Sequence, residues 1–93
     1  MVASHYIALI HKEPDSGYGV SFPDIPGVIA VANTLDDALS DASDALDIAF
    51  EDWQGEWPEA RSLDLLRTDP DFVSRSRDAV VAAIRAPARL QAA

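Results

Sequence analysis

The stretch Pro23-Asp-Ile-Pro-Gly27 constrains this chain more than any other. Each proline fixes φ and removes a backbone donor, so no central strand can run through it. The chain must turn there, and Gly27 can supply the positive φ that ends such a turn. Both flanks read as strands. Before the corner, Tyr18-Gly-Val-Ser-Phe22 alternates large apolar residues with small ones, so one face packs on a core. Gly19 inside that run fits a bulge, a close backbone approach or a plain small residue. After the corner, Val28-Ile-Ala-Val-Ala32 reads as a strand antiparallel to the one before it.

Upstream, Tyr6-Ile-Ala-Leu-Ile-His11 is β-branched and aromatic and ends in Lys-Glu-Pro-Asp-Ser-Gly, a turn composition. Both of its faces are apolar, which places it centrally in a sheet. The connection to Tyr18 is too short for a parallel crossover, so a hairpin is expected and the first three strands form a meander. Thr34 then opens a helix, with Asp37 in the third position of a capping-box pattern. Leu35, Ala38, Leu39, Ala42, Ala45, Leu46, Ala49, Phe50 and Trp53 fall on one stripe, the spacing of a core-facing helix.

Gln54-Gly-Glu-Trp-Pro58 ends the helix. Ser62 and Asp69 are placed to cap two short helical turns, over 62–68 and 70–75. Ala79-Val-Val-Ala-Ala-Ile84 reads as a fourth strand, its β-branched members arguing against the helix that its alanines would allow. The expected fold class is therefore α+β, in the order β-β-β-α-β with short helical turns before the last strand. The domain is expected over 1–86, with 87–93 a fraying tail that holds no DNA-binding module.

Charge narrows the function. The chain carries a net charge of −9, and between Glu13 and Glu59 there are 12 acidic residues with no Lys or Arg. Such a surface repels phosphate and attracts cations, so a basic partner is expected and direct nucleic-acid binding is not. The helix face opposite the apolar stripe holds Asp36, Asp37, Asp41, Asp44, Asp47, Glu51 and Asp52 with no cation at pairing distance in sequence. Like charges at that spacing cost a few tenths of a kcal/mol per pair, roughly. No cysteine, signal peptide or membrane-length apolar run is present, so a cytoplasmic protein is expected. The size, 93 residues, and the sheet edges make a homodimer or tetramer a reasonable expectation.

Catalytic chemistry finds little to work with, and neither catalytic, cofactor nor metal-ligating residues are assigned. His5 and His11 bracket the first strand and are expected on opposite faces, where they cannot share a metal ion. Asp24 stands alone in its turn, so the convergent carboxylates of a two-metal nuclease are missing. Ser21 has no neighbouring base in sequence to activate it. Trp53 and Trp57 read as core and rim.

Tyr-x-Val-Ser-Phe-Pro-Asp-x-Pro-Gly over 18–27, a short strand, and then Thr-Leu-Asp-Asp-Ala-Leu over 34–39 resembles the HicB-like antitoxin family of bacterial toxin–antitoxin systems. Tyr6–His11 and Leu63–Phe72 are similar to the same family. The resemblance implies a reduced RNase-H-like fold without nuclease activity. It also implies a partner: a small basic RNA-cleaving toxin of the HicA type, whose active site the antitoxin covers. The expected partner-binding residues are Tyr18, Phe22, Asp24, Asp37, Asp41 and Asp44. Two alternatives remain open: a stand-alone oligomeric interaction domain without a toxin, and a remnant of a metal-dependent nuclease.

Overall fold

A computed structural model describes residues 5–15 and 17–87. Four strands, β1 (His5–Lys12), β2 (Tyr18–Ser21), β3 (Ile29–Ala32) and β4 (Ala79–Arg85), form one sheet in the order β3-β2-β1-β4. Every neighbouring pair is antiparallel. The apolar run on both faces of β1 is accounted for by its place between β2 and β4. Phe22 ends the apolar alternation just beyond β2, and the Pro-Asp-Ile-Pro-Gly corner follows with Gly27 at φ 98°. Residues 79–84 are strand, pairing with β1 over its full length. Of the tail expected at 87–93, residues 88–93 lie outside the described residues.

The helices start where the caps put them. α1 (Leu35–Glu51) is capped by Thr34, whose Oγ1 accepts from the Asp37 N–H at 3.1 Å. α2 (Leu63–Leu66) is capped by the Ser62 hydroxyl, which accepts from the Leu65 N–H at 3.1 Å. α3 (Pro70–Ser76) is capped by the Asp69 carboxylate, which accepts from the Asp71 N–H at 3.0 Å, with Pro70 at the first turn. Each side-chain oxygen satisfies a donor that a helix start leaves orphaned. No helix among the described residues is long and apolar enough to cross a membrane.

The two faces of the sheet are covered unequally. α1 packs across the face that carries Tyr6, Ala8, Ile10, Val20 and Ala32, and inserts Ala38, Ala42, Leu46 and Phe50 into the main core. The opposite face is covered only over β1 and β4, by a small cluster of Leu9, Leu66 and Phe72 with Ile7, Leu63, Ala79 and Val81 packed against it. Gly19 of β2, and Ile29 and Val31 of β3, lie on that same face beyond the α2–α3 layer, which reaches β2 at Ser21 through Arg75. The apolar stripe expected along α1 is slightly too wide at one position, since Leu39 lies at the surface.

The expectation for the two histidines needs correction. His5 and His11 share one face, because an even spacing along an uninterrupted strand returns a side chain to the same side. At ~3.3 Å per residue they are about 20 Å apart, and His11 Nε2 instead lies 2.9 Å from the carbonyl of Arg75. Among the described residues, no three His, Asp or Glu side chains are grouped to hold a metal ion. Of the alternatives open at Gly19 the plain small residue holds, and a close backbone approach falls at Gly17 instead. A Cβ on Gly19 would meet only Glu13 Oε2 at 3.5 Å, whereas one on Gly17 would stand 1.8 Å from the carbonyl oxygen of Ala32.

Candidate partner-binding surface

The six residues expected to meet a partner divide into two groups. Phe22 is buried in the main core with Ile25, so its side chain presents nothing to a partner. Tyr18 is half-buried against the same core, and Lys12, its cross-strand neighbour, places its ammonium 5.6 Å from the ring centroid.

Asp24 does not stand alone in its turn. Its side chain is only 6% exposed, and it accepts from Arg61 Nε at 2.6 Å and from the Arg61 backbone N–H at 2.8 Å. Arg61 Nη1 continues to Asp69, the α3 cap, at 3.4 Å. The two acceptors at Asp24 are 37 residues away in sequence from the donors they hold. A carboxylate in a turn gave no sign of which arginine it would take, and that is why sequence reasoning missed Arg61. The hydrogen bond to Asp24 raises the Arg61 pKa above the usual arginine value; burial opposes this, and Asp69 adds to it. A raised pKa gives stabilisation that is complete below the unfolded value and is lost only as pH climbs through the arginine range. The arginine side of this pair is therefore constant across neutral pH.

The pair works as a latch. The chain leaves α1 through Trp53 and Trp57, both packed on Phe50, and the Tyr6 hydroxyl donates to the Pro58 carbonyl at 2.6 Å. Those contacts bring residue 61 to the corner. Replacing Arg61 by Leu is expected to destabilise the fold by about 2 kcal/mol. That is less than a fully buried pair would lose, because solvent reaches the guanidinium. Denaturant titration checks this, and Asp24→Asn in the Arg61→Leu background should recover part of the loss.

Asp37, Asp41 and Asp44 form the second group. All three are exposed, and they lie at i, i+4 and i+7 along one flank of α1, a single stripe that Ile48 continues at i+11. None of the α1 carboxylates makes an ion pair among the described residues; the three ion pairs found there use Asp24, Asp69 and Asp71. Arg75 supplies the last of these, at 3.7 Å from Asp71, and donates to Ser21 Oγ at 3.3 Å. A guanidinium is a permanent donor and takes no proton from a hydroxyl, so this contact orients Ser21 without activating it.

Beside the stripe, Ala45, Ile48 and Ala49 of α1 face Gly27, Val28 and Ile29 across an apolar groove of about 300 Å³. Ile48 is 71% exposed, and Ile29 and Val31 are each 67% exposed. The groove, the acidic stripe and β3 are neighbours, since α1 lies mainly over β3. Together they form an open surface suited to holding another macromolecule, with apolar ground and a charged border.

The comparisons agree with this arrangement of elements. No curated protein matches the chain. Among solved structures, the antitoxin HicB of Burkholderia pseudomallei superposes with a TM-score of 0.70 at 24% identity, over 98% of this chain and 75% of that one. The separate N-terminal domain of the same antitoxin gives 0.64 at 26% identity, over 92% of this chain and 99% of that domain. A chain of a HicA3 and HicB3 toxin–antitoxin complex gives 0.70 at 19% identity, over 90% and 99%. The family model described as the HicB-like antitoxin of bacterial toxin–antitoxin systems matches residues 6–90. That span takes in the corner, the latch, α1 and the four strands but for His5, and on it the chain belongs to the HicB-like antitoxin family.

Proposed function

We propose that this chain is a cytoplasmic antitoxin that binds a small basic ribonuclease of the HicA type and masks its RNA-binding surface. The observation that carries the reading is the carboxylate stripe of α1, Asp37, Asp41 and Asp44, without an ion pair among the described residues and set beside exposed apolar ground. A protein that grips RNA must present cations for phosphate, and those cations are complementary to this stripe. The solved complex that pairs a HicA with a HicB gives the reading its partner class. Masking requires no chemistry of the antitoxin, so none of its residues is given a catalytic role. Tyr18 is retained as a contact at the margin, while Phe22 and Asp24 act by holding the fold that presents the stripe.

Co-expression with the product of the adjacent reading frame tests the whole reading. Growth should be rescued and the two proteins should co-purify. If the frame encodes no small Lys/Arg-rich protein, or the two proteins separate, the antitoxin role is lost. The electrostatic part has its own test. Converting Asp37, Asp41 and Asp44 together to Lys should slow association by roughly 10- to 1,000-fold at low salt, the range that electrostatic steering spans. The difference should shrink as salt is added. An unchanged association rate at low salt would remove the stripe from the interface.

A further inference from the structure

Building on the antitoxin reading, we propose that the free edge of β3 is the docking strand: an extended segment of the basic partner adds beside Ile29–Ala32 as a fifth strand and lays its cations along Asp37, Asp41 and Asp44. β3 is terminal in the sheet, so alternate peptides direct N–H and C=O groups away from it. Native edges are ordinarily guarded by charges, prolines or bulges. Ile29-Ala-Val-Ala32 contains none of these within the strand. Its outward side chains, Ile29 and Val31, are followed inward only by the small Ser21 and Gly19, and the α2–α3 layer stops short of them. Arg75 borders this strip, but its charge is engaged by Asp71.

The surroundings decide what can occupy the edge. A second copy pairing β3 to β3 about a twofold axis would bring two α1 helices to the same side of the joined sheet. Their unpaired carboxylate flanks would then face each other, and juxtaposed like charges oppose association. A strand carrying Lys or Arg meets the opposite field. Its apolar side chains would cover Ile29 and Val31 on one face, and on the other could enter the groove under Ile48. Backbone pairing of this kind supplies affinity, and side-chain pockets and charges supply selectivity. The far edge does not offer the same terms. β4 ends in Arg85, and the Arg77 before it is offset by Asp78, so no acidic field draws a basic strand there.

The test uses the unmodified chain, Val31→Lys on the β3 edge, and Val80→Lys on β4 as the control, all bound to the co-purified partner. Both substituted positions are exposed, and thermal melts establish that the variants fold. Val31→Lys should weaken binding at least tenfold, and Val80→Lys should leave it within twofold. Hydrogen exchange should find the amides of 29–32 protected on complex formation and those of 79–85 unchanged. Full-strength binding by Val31→Lys without protection of β3 overturns the edge proposal and leaves the antitoxin reading standing. No binding by the unmodified chain overturns both. If light scattering finds that the isolated chain self-associates, and Val31→Lys makes it monomeric while partner binding persists, the edge belongs to a second copy and the proposal fails.

Discussion

Gly17→Ala is expected to cost this protein roughly 3 kcal/mol or more, although it adds a single methyl group. The added carbon would sit 1.8 Å from the Ala32 carbonyl oxygen, 2.7 Å from its carbonyl carbon and 2.8 Å from the Asn33 Cα. All three are backbone atoms, so no rotamer change can relieve the clash and the β2–β3 pair must separate at its end. Overpacking a well-filled site costs about 1–3 kcal/mol when side chains can yield, and here they cannot. A domain of this size unfolds with a total of about 5–15 kcal/mol, and each kcal/mol moves the midpoint by about 4–8 °C. A fall in Tm of about 12 °C or more is therefore expected. Gly19→Ala, two residues on and in ordinary contact only with a glutamate side chain, should stay within about 1 kcal/mol. Equal losses at the two glycines would mean that the approach of β3 does not set the requirement at Gly17.

Phe50→Ala should fall in the same range, about 3–5 kcal/mol, for a different reason. Its ring is stacked on Trp57 at 4.1 Å and tilted against Trp53 at 5.2 Å and Tyr6 at 5.6 Å. Removing it leaves a cavity between α1, β1 and the segment that carries Arg61 to Asp24. The expected consequence is a loss that spreads: near-ultraviolet dichroism from both tryptophans should weaken, and the Arg61→Leu penalty should shrink in the Phe50→Ala background. Strict additivity of the two substitutions would mean that the aromatic cluster and the latch are energetically separate. Leu46→Ala, fully buried one turn earlier on α1, is the control: its cavity should lower stability without coupling to Arg61.

Most of the fold was legible because it is written in local chemistry. Prolines at 23 and 26 interrupt the strands, Thr34, Ser62 and Asp69 cap the helices, and the apolar stripe of α1 has the helical period. The sheet order followed in part, since a β1 that is apolar on both faces must lie inside. What sequence alone could not supply was long-range pairing. Asp24 looked like a free carboxylate because its partner lies on the other side of α1 in the chain. Phe22 looked like a contact residue because alternation says which residues share a face and not which face is covered. The glycine that matters was likewise hidden, because Gly17 and Gly19 differ only in what another strand brings against them. The acidic stripe was legible for the opposite reason. Its members answer to solvent, and their spacing alone decides where they stand.

The latch has a consequence for how this protein can change over generations. The corner that marks the family in sequence holds its carboxylate for Arg61 and its phenylalanine for the core, so it is committed to internal service. The partner-facing candidates lie elsewhere, on exposed positions of α1 and β3 where substitution leaves those bonds untouched. Surface exchanges of that kind change stability by about 0.5 kcal/mol or less. Preservation of the architecture and variation of the exposed faces of α1 and β3 thus rest on separate sets of residues. A lineage can vary those surfaces without reopening the problem of how to fold.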